Sequence, residues 1–329
     1  MSAFARKMIL LRDRLKLLRD VRKNDGAISA PYQTVMIETT SICNLDCPIC
    51  PARKSQNIME RASQQVKVDD VRLVVALTKD MTESYCLNMW GEPLLHKEFG
   101  KILEIVSSAG LPIWFSTNLN YSARLAEMLA PNPLLQIICS LDGWDAASYA
   151  EYRWGGRFDV VKRNLKILAS GQCKIYPQYL VSSEDGDVKA RKARFLEFVR
   201  TEVGNTDNVF FKKKLDDLRN DGNQTVPGRC SSMYAGLYFN SDGNLMPCCT
   251  NARKDVHLRH VSAYTSEELF NGADVKTLRK RILDDKNQFP SCRTCQGENQ
   301  EKLIANAIYQ GVKNLAFRRK PQPGSSKGL

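Results

Sequence analysis

From residue 34 to residue 214 the chain keeps returning to one pattern, a short apolar run followed by a longer stretch of helical periodicity. The runs are "TVMIETT" (34–40), "YCLNMW" (85–90), "LPIWFST" (111–117), "LQIICSLDG" (135–143), "IYPQYLVS" (175–182) and "NVFFKKK" (208–214). Helical patterns fall at 69–79, 97–109, 122–130, 145–151, 158–170 and 189–203. Short apolar strands cannot satisfy their backbone polar groups alone. Alternated with helices, they form a parallel sheet wrapped by those helices. The predicted class is α/β, and the strands are too few for a full eight-stranded barrel, so an open or partial barrel fits better.

The two ends read differently. Residues 4–23 form an amphipathic helix, with Met8, Leu11, Leu15 and Leu18 at helical spacing and Arg12, Lys16 and Arg19 elsewhere on the wheel. Asn24, Asp25 and Gly26 end it, and Pro31 keeps it from resuming. After the polar, breaker-rich stretch 215–228, "GLYFNSDGNLMPCC" (236–249) is a hairpin candidate with Asp242-Gly243 in its turn. A helical pattern at 266–284, "CRTC" at 292–295, a second helical pattern at 299–316 and a flexible tail follow. The expected organisation is an N-terminal helix (1–30), a partial barrel (31–215), a small α+β domain (216–317) and a tail (318–329).

With 43% hydrophobic and 26% charged residues, the chain can bury a core and is not disordered. It has no apolar run of about 18 residues and no signal-peptide pattern, so a cytoplasmic protein without a membrane span is expected. Eleven cysteines in a reducing compartment point to metal or redox chemistry rather than disulfides. The three histidines (His96, His257, His260) sit beside none of the cysteine groups, which favours all-thiolate ligation. The net charge of +12 invites an acidic partner, but the excess is scattered over 6–23, 212–214 and 318–320. No basic run is interleaved with stacking aromatics, so nucleic acid is not an expected partner.

"SICNLDCPIC" (41–50) places Cys43, Cys47 and Cys50 just after the first strand. Each iron of a four-iron cluster needs a ligand, so three thiolates leave one iron open, the general mark of a catalytic rather than a structural metal site. The bland alternatives are three buried cysteines or half of a zinc site. This CxxxCxxC motif resembles that of the radical S-adenosylmethionine (SAM) enzyme family. There the open iron chelates SAM, and a cluster electron cleaves a C–S bond to give a 5′-deoxyadenosyl radical. Further stretches carry the resemblance. "WGEPLL" (90–95) is similar to the family's GGE motif with Trp90 for the first glycine, which implies that Glu92 binds the SAM amine. "STNLN" (116–120) points to Ser116 and Asn118 at the ribose, and "SLDG" (140–143) to Ser140 and Asp142 at the next strand end. "YRWGGRFDVVKRNL" (152–165) implies Arg153 at the SAM carboxylate, and Ile49 would pack on adenine. The resemblance covers about residues 34–215 and implies a partial (β/α)6 barrel.

Cys230, Cys248, Cys249, Cys292 and Cys295 form a second group. It resembles the twitch or SPASM-like domain of the same family, which implies an auxiliary [4Fe–4S] cluster on Cys230, Cys248, Cys292 and Cys295. That cluster would be closed and suited to electron transfer. A four-cysteine zinc site is the alternative, since CxxC alone does not choose the metal. In "PCCT" (247–250) one adjacent cysteine is surplus to four ligands. In an extended stretch, neighbours point to opposite faces, so Cys249 would face the barrel mouth. Its weak S–H bond could return a hydrogen atom to a carbon radical, the property an epimerase needs; otherwise it is a small buried apolar residue. Cys86, Cys139 and Cys173 read as core.

Within the family the chain most resembles the aminoglycoside (neomycin C) epimerase type. That implies antibiotic biosynthesis, conversion of neomycin C to neomycin B by inversion at C-5‴, and a flavodoxin- or ferredoxin-like electron donor. Glu38, Asp145 and Glu184 are candidate carboxylates for a polycationic substrate. The alternatives are an aminocyclitol alcohol dehydrogenase with the auxiliary cluster as electron acceptor, and a peptide epimerase or maturase.

Overall fold

The structure, a computed structural model, describes residues 3–53, 64–181, 186–213, 229–249, 256, 258–293 and 295. Glu184, His257, the stretch 215–228, the helical pattern at 299–316 and the tail lie outside them. Helix α1 (Ala3–Lys23) precedes a series of strands and helices: β1 (Thr34–Ile37), α2 (Val68–Thr78), β2 (Tyr85–Cys86), α3 (Phe99–Ser107), β3 (Ile113–Thr117) and α4 (Ala123–Leu129). The series continues with β4 (Leu135–Ser140), α5 (Ala146–Ala150), α6 (Phe158–Ala169), β5 (Lys174–Val181), α7 (Val188–Val203) and β6 (Phe210–Lys213). The C-terminal part holds α8 (Ser232–Ala235), β7 (Gly236–Phe239), β8 (Leu245–Met246), α9 (Ser266–Asn271), α10 (Ala273–Asp284) and α11 (Pro290–Arg293).

The eight strands among the described residues form one sheet in the order β6-β5-β4-β3-β2-β1-β7-β8. Pairing is parallel from β6 to β7, and only the β7–β8 hairpin is antiparallel. The first six strands make the expected open barrel wall. The hairpin does not stand apart from it: β7 pairs with β1 along Thr34–Ile37 and extends the same sheet. No helix among the described residues is long and apolar enough to cross a membrane.

The two faces of the sheet are unequal. Ile113, Phe115, Leu135, Ile137 and Cys139 point to the helices and are fully buried, whereas Trp114, Ser116, Gln136 and Ile138 on the other face stay half-buried. Parallel sheets normally bury both faces. Here the inner face keeps half-buried side chains, which is what a site inside the barrel requires.

Three local departures have physical causes. The 266–284 helical pattern is broken at Gly272, whose ψ of 156° leaves the helical region, and glycine is needed there because a Cβ would lie 2.6 Å from the Glu268 carbonyl oxygen. Strand β2 is only two residues long, because the chain turns off toward the cysteine loop after Cys86. Helix α1 buries Leu17 and Val21, not the Met8–Leu15 stripe, and Met8 and Leu15 are about half exposed, at 49% and 50%. Its rotation is fixed by a forked Arg14–Glu83 pair, both bonds 2.7 Å, and by Asp20 accepting from the Ser29 backbone at 2.6 Å.

Arg279 on α10 locks the C-terminal part to the barrel's base. It is 1% exposed and donates to the carbonyls of Met233 (3.1 Å), Gly26 (3.0 Å) and Phe270 (2.8 Å), and to the Tyr32 hydroxyl. Removing it strands several buried acceptors at once. Arg279→Met should lower stability by about 3 kcal/mol or more, seen as an earlier thermal transition by circular dichroism; an unchanged transition contradicts this role.

Candidate active site

The cysteine loop follows β1 and is held by the segments after β2 and β3 and by the α5–α6 connection. Glu92 N donates to Ile42 O at 2.8 Å, Asn118 Nδ2 to Asn44 Oδ1 at 2.8 Å, and Asp46 N to Trp154 O at 2.9 Å. Gly91 makes the first of these contacts possible. Its φ is +76°, and a Cβ there would sit 2.4 Å from the Thr40 carbonyl oxygen, closer than any side chain could be tolerated.

Within the loop, Cys43 Sγ accepts from Leu45 N at 3.5 Å and from Asn118 Nδ2 at 3.8 Å, and Cys47 Sγ from Arg153 Nη1 at 3.8 Å. Cys43, Cys50 and Trp90 all pack against the buried Ala52. Ile49 is half-buried between Cys47 and Cys50. Burial pushes the Cys43 thiol up to about 12 and raises Cys47 as well, Arg153 pulling the latter back. Buried thiols so reluctant to ionise need a cation to become thiolates.

Glu92 is 2% exposed and accepts from Thr117 Oγ1 (2.8 Å), Asn118 N (2.7 Å) and Leu94 N (3.3 Å). A carboxylate has about four acceptor positions, so these three donors leave room for one more. Asp142 stands at the end of β4 with φ +55°, a conformation costly for a residue with a side chain. It accepts from Leu180 N at 2.7 Å and pairs with Arg153, which thus stands between Asp142 and Cys47. Ser116 is on the inner face of β3, its N–H bound to Asn88 Oδ1 at 2.9 Å, and Ser140 lies at the end of β4. Of the residues assigned to SAM from the sequence, Ile49 lies on the cysteine loop, Glu92, Ser116, Asn118, Ser140 and Asp142 lie at or just beyond the ends of β2, β3 and β4, and Arg153 lies in the connection between α5 and α6.

Side-chain hydrogen bonds tie together the segments that carry the second cysteine group. Arg229 Nε donates to Leu283 O at 3.2 Å, and the buried Lys286 donates to Cys292 O at 2.9 Å, so the Cys230 segment and the Cys292–Cys295 turn meet the same stretch. The Tyr238 hydroxyl lies 2.8 Å from Ser232 Oγ, tying the hairpin that carries Cys248 to the helix after Cys230.

Strand β8 ends at Met246, so the alternation expected at Cys248–Cys249 does not carry through. Both residues pack on one inner-face cluster, which also holds Met36, Cys86, Tyr238, Met246, Met89 and Trp114. Cys86 is fully buried, as the sequence pattern leads one to expect of a core residue. The register places it in the inner row with Met36 and Trp114, and Cys249 is near enough for its charge to raise the Cys86 thiol further above the value that burial sets. Only knowledge of which face β2 presents could have revealed this. Glu38, two residues beyond Met36, is fully buried and accepts from Ser241 N at 3.0 Å. Asp145 is committed to capping α5 through Ser148.

Residues 37–180 match the radical SAM superfamily, and residues 230–296 match SPASM, an iron–sulfur cluster-binding domain. Among curated proteins the chain is similar to mycofactocin maturase MftC of Mycolicibacterium smegmatis (strain ATCC 700084 / mc(2)155), 24% identical over 153 residues, which are 46% of this chain and 38% of the relative. The match thus spans well under half of that relative's length. Among solved structures it is similar to SuiB of Streptococcus suis bound to S-adenosylmethionine, with TM-score 0.61, 15% identity, and coverage of 87% of this chain and 77% of that one. SuiB bound to its precursor peptide SuiA gives a TM-score of 0.59 at 15% identity, covering 88% and 76%. AnSMEcpe with bound AdoMet gives 0.61 at 14% identity, covering 87% and 100%. At these identities the structural likeness is one of fold.

The chain therefore carries a radical SAM domain over residues 37–180, followed by a SPASM domain over residues 230–296. The first domain binds a [4Fe–4S] cluster and SAM, and the second binds auxiliary iron–sulfur clusters. The residues fit these groups. The loop offers three thiols held in place from outside, and the buried Trp90 Nε1 lacks an acceptor among the described residues, as expected where a further acceptor belongs. No three His, Cys, Asp or Glu side chains among the described residues are placed to hold a single metal ion. A cuboidal cluster asks for something else, because each thiolate takes a separate iron.

Burial dominates at Glu92 and pushes its carboxyl up to about 7 from an ordinary 4.5, against the bonds from Asn118, Thr117 and Leu94. A carboxyl raised on folding contributes stability that is complete below 4.5 and lost as pH rises through 7. Denaturant unfolding of cluster-free protein should show this loss between roughly pH 5 and roughly pH 8, and Glu92→Gln should flatten it. Equal slopes in the two proteins would contradict the assignment.

Proposed function

We propose that this protein is a radical SAM epimerase that inverts a sugar carbon of an aminoglycoside, converting neomycin C to neomycin B at C-5‴, with Cys249 as the hydrogen-atom donor. The observation that carries this reading is the position of Cys249 on the inner-face cluster beside Cys86. Cys43, Cys47 and Cys50 are assigned to the SAM-binding cluster, and Cys230, Cys248, Cys292 and Cys295 to a single auxiliary one.

When bound, the first cluster and SAM supply a 5′-deoxyadenosyl radical that removes a hydrogen atom from the substrate carbon. Glu92, Asn118 and Arg153 hold the nucleoside-bearing ligand at the strand ends, with Ser116, Ser140, Asp142 and Ile49 shaping its surroundings. Cys249 approaches the carbon from the hairpin side and donates its S–H hydrogen to the opposite face. The reaction is favourable because a thiol S–H bond is weaker than the C–H bond formed. One electron and one proton then restore the thiol, the electron coming from a flavodoxin- or ferredoxin-like donor. Glu38, one of the carboxylates expected at an amine-bearing substrate, is fully buried at the end of β1 and bonded to Ser241 N, so it serves the hairpin junction.

A peptide is the second reading, favoured by the maturase among the relatives and by the precursor peptide bound to SuiB. In a dehydrogenase the Cys249 thiol would be dispensable.

In deuterated water the product should carry one solvent deuterium at the inverted carbon. Cys249→Ala should abolish inversion, by at least about a hundredfold, while reductant-dependent SAM cleavage persists. Incubation with a panel of aminoglycosides and peptides, followed by stereochemical analysis, identifies the substrate. Inversion at the normal rate by Cys249→Ala would remove Cys249 from the mechanism, and a ketone product would establish the dehydrogenase instead.

A further inference from the structure

We propose that the indole N–H of Trp90 donates a hydrogen bond to a sulfur of the cluster held by Cys43, Cys47 and Cys50, and so sets how easily that cluster is reduced. The inference rests on the three-thiolate reading of the loop. Trp90 stands where the family motif has its first glycine, so the chain has placed its largest side chain at a position that usually carries none.

That side chain packs against Ala52, and Cys43 and Cys50 pack against the same residue. Its Nε1 is shut off from solvent and has no hydrogen-bond acceptor among the described residues. An indole N–H can only donate, and folded proteins seldom leave a buried donor unpaired without a reason. The backbone gives the ring little freedom to seek water instead. Gly91 is wedged against Thr40 O, and Glu92 N is bonded to Ile42 O at 2.8 Å, so residue 90 is fixed against the cysteine loop.

The other donors near this loop address different atoms. Asn118 Nδ2 approaches Cys43 Sγ at 3.8 Å and Arg153 Nη1 approaches Cys47 Sγ at 3.8 Å, whereas Trp90 lies on the Cys43–Cys50 side. Cluster sulfurs supply an acceptor on that side. A hydrogen bond to sulfur disperses the negative charge that reduction adds, and hydrogen bonding of this kind is one of the main determinants of cluster potential. Trp90 is thus a positioning and tuning residue, acting through the cluster and not on the substrate.

The test is an EPR-monitored redox titration of anaerobically reconstituted holoenzyme. The relevant cluster is recognised by the change in its signal when SAM is added. Trp90→Phe keeps an aromatic ring and deletes the N–H. Its SAM-responsive cluster should titrate at a more negative potential than wild type, with the auxiliary signal unmoved. Trp90→His, which restores a ring donor, should move the potential back toward wild type. If the Phe variant fails to hold iron, 3-benzothienylalanine at position 90 keeps the outline of the indole without the N–H and is read in the same way. An unmoved potential at wild-type iron and sulfide content overturns the proposal. So does an unmoved potential with weakened SAM binding, which would assign the N–H to SAM. A wild-type protein with no SAM-responsive cluster would instead refute the three-thiolate reading, before any variant is compared.

Discussion

Three thiols must be gathered on one short loop and kept from water, and the loop cannot do this alone. Residues 43–50 contain no helix or strand. Their shape is imposed by Glu92, Asn118 and Trp154, each arriving from the end of a different β/α unit. The parallel sheet makes this possible, because parallel strands all end on the same side, where ligand sites of open α/β sheets are found. The strain at Asp142 and the close approach of Gly91 are local consequences of crowding four strand ends around one loop. Burial raises the Cys43 and Cys47 thiols, so the arrangement is costly without a cation to ionise them.

The C-terminal hairpin solves a second problem. Strand β1 would otherwise be the edge of an open barrel, with unpaired backbone groups next to the cysteine loop. Pairing with β7 covers that edge and brings Met246, Cys248 and Cys249 against the inner row of Met36, Cys86 and Trp114. One ladder of hydrogen bonds thereby links the SPASM segment to the radical SAM strands. Arg279 fastens the same junction from below, through Gly26, Met233 and Tyr32.

Much of this was legible in the sequence, for physical reasons. The apolar runs at 111–117, 135–143 and 175–182 became β3, β4 and β5, because central parallel strands must be continuously apolar on the helix-facing side. The α6 and α7 patterns held to within a residue at each end, since long amphipathic helices carry strong periodicity. The cysteine spacing announced the loop and the metal. What the sequence left hidden depended on long-range contacts. The inward direction of Cys86 follows from the register of a two-residue strand, and a shift by one residue would reverse it. The buried face of α1 was set by the Arg14–Glu83 fork, 69 residues apart, and not by the helix's own stripe. The end of β8 before Cys248 depends on where the hairpin leaves the sheet, which no local pattern records.

The central claim is that Cys43, Cys47 and Cys50 hold an iron–sulfur cluster whose fourth corner is left for SAM. Electron–nuclear double resonance of the reduced, reconstituted protein tests it directly, using SAM labelled with nitrogen-15 at the amine and oxygen-17 at the carboxylate. The account predicts hyperfine coupling from both labels in the SAM-responsive cluster. A spectrum indifferent to both labels would contradict it.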